Sequence, residues 1–453
     1  MSSDRNLLVR NCGWLVTMDD SRRVLRDGWL LARGGFIEDL GAGAPPAVAG
    51  AEIVDAHGGI VLPGMVNTHH HMYQNLARAY TPIANLPLLP WLAGLTPLWR
   101  GFTADDLHTA SLVAMAELML SGCTTSSDHH YVFPRGSRDL IDAQFAAAAE
   151  LGLRFHGARG SMDTASSLIP EWAVQPIDEI LRDSERLAGR YHDPGRGAMT
   201  RLALAPCALT SASADLYRES AAIARRHGLH LHTHCAETVA ENDLAESQQG
   251  ARPLRLLEKI GWADERVWLA HGIHFNDAEV AHLGRHRMGI AHCPCSNMRL
   301  GSGVCRVRDL QAAGAAVGLG VDGSASNDSG HMLNEARQAL LLTRVVHGAG
   351  AMTTGDALAL ATRGGARVLG RAGDLGSLEP GKCADLAIFP ATDLFSSGAE
   401  NPVDGLVLCF PRQVETLVVN GVVRVRDGAL PGVDVPDLLA RHGRIARRIT
   451  GGV

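Results

Sequence analysis

From residue 60 onward the chain repeats one pattern: a short run of consecutive apolar residues, then a longer stretch whose apolar positions recur every three or four residues. The short runs suit strands buried on both faces and the longer ones suit helices covering them, so the pattern predicts parallel strands alternating with helices. Strands are expected over 60–67, 124–128, 153–159, 202–206, 229–234, 267–271, 288–292 and 316–321. Helices are expected over 104–120, 140–151, 177–190, 214–227, 253–260 and 278–285, with two more over 332–346 and 354–369. Eight strand–helix units in roughly 310 residues predict a (β/α)8 TIM barrel, with an open doubly wound sheet as the alternative.

Before residue 60, Leu8, Val9, Trp14, Leu15 and Val16 mark strand-like runs broken by Gly34, Gly35 and Gly41, and strand-like patterns return over 384–389 and 414–425. The two chain ends are expected to form one small flanking β domain from 1–59 and 371–432, beside a barrel over 60–370 and a C-terminal helix over 433–453. The connection 67–103 is long, rich in proline and carries Trp91 and Trp99, so it is expected to cover the active face.

Composition narrows the partners. Across 453 residues, 46% hydrophobic and 20% charged content suits a folded core, and a net charge of −6 gives no broad attraction for phosphate backbones or anionic lipid. A small molecule is the expected partner, with no nucleic acid and no membrane, and self-association into a homo-oligomer stays open. No apolar run approaches the ~20 residues of a membrane span, and the N-terminus lacks a secretory pattern. Nine scattered cysteines form no disulfide framework. A cytoplasmic location is expected.

The distinctive feature is histidine, with 21 in the chain and several at strand ends. In a strand, residues i and i+2 share a face, so His69 and His71 can point together toward the barrel axis as two metal ligands. Among the alternating His230, His232 and His234, the last lies nearest the mouth and is the expected third ligand, the other two being hydrogen-bonded core positions. Glu237, just past that strand, could carry a proton over the metal or cap a helix. His271 and Asp322 end two further strands, on the face where barrel active sites are assembled. Three imidazoles and a carboxylate (His69, His71, His234, Asp322) suit one divalent ion, Zn2+ first and Fe2+ second, and imply metal-assisted hydrolysis. Residues 201–210 contain no lysine to bridge a second metal. The Cys293–Cys295 pair reads as a strand-end turn, and no phosphate-binding loop is present.

Residues 63–71 (PGMVNTHHH) resemble the first-strand motif of the amidohydrolase superfamily, and His234 with Glu237, His271 and Asp322 resemble the strand-end motifs of its deaminase branch. Residues 378–386 (LEPGKCADL) resemble that family's return into the flanking β domain. Within the branch, residues 69–74, 88–92, 121–131 and 321–328 are similar to those of 8-oxoguanine deaminases. The resemblance implies removal of the 2-amino group of 8-oxoguanine as ammonia, leaving uric acid. Metal-activated water held by His271 and Asp322 would lose a proton to Asp322 and attack C2, and Glu237 would protonate the adjacent ring nitrogen. Gln74, Trp91, His129, His130, Tyr131 and Cys207 are the expected substrate contacts. Guanine deaminases are expected to carry arginine at the end of the fourth strand, where this chain reads Ala205-Pro206-Cys207. Guanine, isoxanthopterin and s-triazines are the alternative substrates; a non-catalytic scaffold is disfavoured because no ligand position is missing.

Overall fold

The computed structural model describes residues 6–137, 139–166, 168–409 and 411–451. Eight parallel strands lie side by side in chain order: Met65–Asn67, Cys123–His130, Arg154–Ser161, Thr200–Pro206, His230–Cys235, Val267–His271, Gly289–His292 and Ala316–Leu319. Across the remaining gap, Thr68 N–H donates to Leu319 O at 2.9 Å and Asp322 N–H to His69 O at 3.0 Å. Asp322–Gly323 then pairs in parallel with His70–His71, so the barrel closes where two sequence-predicted ligands meet a third. Asn67 clips this seam: its Oδ1 accepts from Val321 N–H at 2.9 Å while its Nδ2 donates to Ser126 Oγ at 3.0 Å. The (β/α)8 expectation holds, and the open sheet is excluded by this seam.

Capping explains several covering helices. Ala104–Leu120 begins at Thr103, whose side chain accepts from Asp106 N–H while the Asp106 carboxylate takes the Thr103 N–H. Ala214–His227 is capped by Ser213 and ends at Gly228, whose φ of +69° is cheap only for glycine. The helix expected over 354–369 is instead divided: Thr354–Ala359 and Gly365–Val368 flank a π turn, Leu360–Gly364. The turn brings Gly364 and Gly365 so close to Val317 O and Val66 that a Cβ at either would collide with them.

The strand expected over 60–67 is likewise two strands. Ile60–Pro63 pairs with Asn6–Val16 and, antiparallel, with Leu386–Phe389, so it belongs to the flanking sheet; the barrel begins only at Met65. The break falls at Gly64, where a Cβ would strike the Thr124 side chain. The apolar run hides the break because both halves are fully buried.

The flanking sheet runs Val422–Val425, Thr416–Val419, Leu386–Phe389, Ile60–Pro63, Asn6–Val16, Val24–Arg33, Phe36–Ala42, with Glu52–Asp55 also beside Asn6–Val16. Buried Arg154 ties it to the barrel by a bidentate pair with Asp385, at 2.9 and 3.0 Å. The connection after the first barrel strand holds a short helix, Leu88–Leu95, and the chain ends in the helix Val435–Thr450. Among the described residues, no helix is long and apolar enough to cross a membrane.

Candidate active site

The barrel turns its strand ends, and with them His69, His71, His234, His271 and Asp322, toward one point. Two backbone carbonyls set the protonation of two imidazoles: His71 Nδ1–H donates to His129 O at 2.7 Å and His234 Nδ1–H to Cys207 O at 2.8 Å. Each Nε2 is left with its lone pair free. His69 is set by a relay, because His232 Nδ1–H donates to Trp268 O at 2.9 Å and His232 Nε2 therefore accepts from His69 Nδ1–H at 2.8 Å. His69 Nε2, buried and without a hydrogen-bond donor facing it, also presents a lone pair.

These acceptors crowd together. His71 Nε2 and His234 Nε2 lie 3.2 Å apart, and Asp322 Oδ1 lies 3.3 Å from His69 Nε2 and 3.4 Å from His71 Nε2. Ligand atoms on a tetrahedral zinc with bonds of 2.0–2.1 Å stand about 3.4 Å apart. Protons do not relieve the crowding: burial, with the His71 and His271 rings adjacent, pushes His234 down to about 3, and burial holds His69 well below the usual imidazole range. A buried set of facing lone pairs beside a carboxylate fits a divalent cation and little else.

Burial alone would raise Asp322, yet the His271 imidazole, itself pushed toward its charged form, works against it, and the carboxyl stands well below its usual range. Its Oδ2 accepts from Ser296 Oγ at 2.6 Å and Ser326 Oγ at 3.2 Å. Asp322 (φ +59°) and His271 (φ +68°) both adopt the left-handed conformation, strain that re-aims the side chain where each strand ends. His271 donates Nδ1–H to Asn297 Oδ1 at 2.9 Å and places Nε2 3.5 Å from Glu237 Oε2. Burial works against a charge on His271, but the Glu237 and Asp322 carboxyls raise it above the usual value. Burial lifts Glu237 to about 7, and its backbone N–H is held by Glu241 Oε2 at 2.8 Å.

Above this cluster opens a cavity whose floor includes His71, His234, Glu237, His271 and Asp322. Of the expected substrate contacts, Gln74, Trp91, Tyr131 and Cys207 line it. His129 and His130 do not. His129 donates Nε2–H to Ala205 O at 2.9 Å and stacks behind His234 with centroids 4.9 Å apart, and His130 packs among Tyr73, Phe102 and Phe133. Both support the floor instead of facing the cavity. Trp91 arrives on the Leu88–Leu95 helix with Leu88, Leu89 and Leu92, as a lid over the mouth.

Sequence reasoning missed Ser296, Ser326, Asn297 and Glu241 as supports. They are ordinary polar residues a few positions past strand ends, and only the fold shows that they hold Asp322, His271 and Glu237.

A hydrolase with a divalent-metal centre at the mouth of a (β/α)8 barrel is the class this fold and site define. The Amidohydrolase family pattern matches residues 60–424, and the chain belongs to that family. It is 49% identical over 428 residues to the 8-oxoguanine deaminase of Pseudomonas aeruginosa, covering 94% of this chain and 95% of that protein. It is 37% identical over 459 residues to the hydroxydechloroatrazine ethylaminohydrolase of Pseudomonas sp. strain ADP, covering 97% and 94%. Among solved structures, it is similar to the atrazine chlorohydrolase from Arthrobacter aurescens TC1 complexed with zinc, with a TM-score of 0.93 and 32% identity over 97% of this chain and 100% of that one. The protein is a metal-dependent aminohydrolase, an enzyme acting on C–N bonds.

Proposed function

We propose that the enzyme deaminates 8-oxoguanine at C2, giving uric acid and ammonia. The observation that carries the chemistry is the placement of two buried carboxyls in different surroundings beside one cavity: Asp322 Oδ1 lies 3.3 and 3.4 Å from the ligand nitrogens of His69 and His71, while Glu237, lifted by burial to about 7, lies 3.5 Å from His271 Nε2. Environments that push two such groups apart assign an acid and a base. The substrate rests on 49% identity to an 8-oxoguanine deaminase and on Cys207 in the cavity wall. Guanine presents a lone pair at N7 where the usual 8-oxo tautomer presents N–H, and a thiol at this wall offers no strong fixed donor to favour guanine.

His69, His71, His234 and Asp322 would hold one Zn2+ or Fe2+, which supplies Lewis acidity and a water acidified toward neutrality. Asp322 takes a proton from the water that attacks C2. His271, fixed by Asn297, orients that water by a hydrogen bond. Glu237, in its acid form, protonates the ring nitrogen next to C2 as the tetrahedral centre forms. The proton held by Asp322 passes to the amine, the C–N bond breaks and ammonia leaves, while the C2 hydroxyl returns a proton to Glu237 and becomes the carbonyl. Gln74 offers a donor and an acceptor to the ring edge, and Trp91 and Tyr131 wall it. The nine free cysteines support a cytoplasmic location.

The test is release of uric acid and ammonia from 8-oxoguanine by zinc-loaded enzyme, with guanine and isoxanthopterin in parallel. Turnover of 8-oxoguanine with little of guanine is expected. Turnover of another ring only would overturn the substrate and leave the chemistry.

A further inference from the structure

The helix Val435–Thr450 lies beyond the family-matched residues 60–424, yet it packs on the turn that follows the ligand His71. It packs against the helix Ala104–Leu120 and against the turn Met72–Ala77, which leaves the ligand His71 and carries Gln74 into the cavity. Leu438 buries its side chain, Ile445, Ala446 and Ile449 are half-buried against the barrel core, and Arg448 pairs with Asp106.

One polar contact in this interface is specific. His442 Nε2 lies 3.0 Å from Asn75 Oδ1, and Asn75 Nδ2 donates to Ala110 O at 2.9 Å. Because the Asn75 amine is committed to a carbonyl, its oxygen must face the imidazole, so Nε2–H is the donor. Burial, with Arg78 nearby, lowers His442 to about 4, so the ring is neutral at working pH and holds one tautomer. Asn75 is buried, and so is the adjacent Gln74, whose Oε1 has no hydrogen-bond partner. Gln74 places that oxygen in space that Gly323 leaves open, since a Cβ there would collide with it. The turn is held in front by Met72 N–H on Asp128 Oδ1 at 2.6 Å and behind by Arg78 on Glu117 at 2.6 Å. His442 holds its middle.

We propose that His442 is a positioning residue for substrate binding: through Asn75 it fixes the turn that aims Gln74, making the C-terminal helix part of the binding site. This rests on the reading of Gln74 as a substrate contact, and a double-mutant cycle in the full-length holoenzyme separates the two. The variants are His442→Leu, Gln74→Ala, the pair, and His442→Gln, whose amide can donate from nearly the same position. Losing a hydrogen bond of this kind is expected to raise KM about three- to tenfold, with kcat within about twofold and metal content unchanged. His442→Gln should restore KM, and His442→Leu should add nothing once Gln74 is alanine. If Gln74→Ala itself leaves KM unchanged, the Gln74 reading fails. If Gln74→Ala raises KM but His442→Leu raises it equally in both backgrounds, or lowers only melting temperature and active fraction, the positioning role is overturned.

Discussion

His232 holds His69 in the one tautomer that leaves Nε2 free for a metal. The relay, His69 Nδ1–H to His232 Nε2 at 2.8 Å and His232 Nδ1–H to Trp268 O at 2.9 Å, leaves neither ring a choice. Replacing His232 by leucine removes the acceptor, so His69 can rotate or move its proton to Nε2. Loss of such a support typically weakens metal binding 10- to 100-fold. Titration of the metal-free variant against a competing chelator should show that loss; affinity equal to wild type would reduce the relay to packing.

Glu237 sets the alkaline limit of the reaction. It must carry a proton to donate one, and its value near 7 means that the competent fraction falls as pH rises through that point. The pH profile of kcat/KM should therefore bend downward near 7. Glu237→Gln should lower kcat by about 10²- to 10⁴-fold with metal retained. A profile flat to about pH 9, or near-normal turnover in the variant, would contradict the assignment.

The legible parts of this chain are those where one residue's chemistry and its position on a strand carry the information together. Strand alternation pairs His69 with His71, and both do face Asp322 although Thr68 and His69 lie between the strands Met65–Asn67 and His70–His71; the strand-end positions of His234, His271 and Asp322 followed from apolar runs that stop just before or at them. The seam was less visible, since it depends on Asn67 reaching Val321, 254 residues away. The Gly64 break was hidden because burial on both faces erases the difference between a flanking strand and a barrel strand. His129 and His130 show the opposite limit: two histidines at a strand end look like site residues in sequence, but the second strand turns them behind the ligands and leaves Tyr131 at the cavity. His442 could not be connected to the site at all, because nothing local marks which loop a terminal helix will meet.

Asp128 makes stability depend on pH without entering the chemistry. It is buried, which lifts its carboxyl to about 7 against the pull of hydrogen bonds from Gln144 and Met72. The unfolded chain releases this proton near 3.8 and the folded one near 7, so the group's stabilisation is complete below 3.8 and is lost as pH rises through 7. Asp128→Asn should flatten that slope: between about pH 5.5 and 8 its melting temperature should fall less than wild type's. The amide can be accommodated because the buried Gln144 Oε1 has no partner and can turn to accept from it. Parallel slopes in the two proteins would show that Asp128 is ionised throughout.

Cys207 separates the oxidised base from guanine if the proposed substrate is right. Its backbone is already committed, with N–H donating to Ser161 O at 2.9 Å and the carbonyl accepting from His234, so only the side chain is free to face the cavity. Burial, with Glu237 and Glu241 nearby, pushes the thiol up to about 12, so the wall is neutral and offers only a weak donor. An arginine introduced by Cys207→Arg would bring a fixed positive donor toward the same two carboxyls. It would favour the N7 lone pair of guanine and oppose the N7–H of 8-oxoguanine. An interaction of roughly 1–3 kcal/mol should lower the ratio of kcat/KM for 8-oxoguanine over guanine by about 5- to 150-fold. The ratio is the decisive quantity, because damage to folding or to the His234 anchor would depress both substrates together; an unchanged ratio in a variant that retains its metal would remove Cys207 from substrate selection.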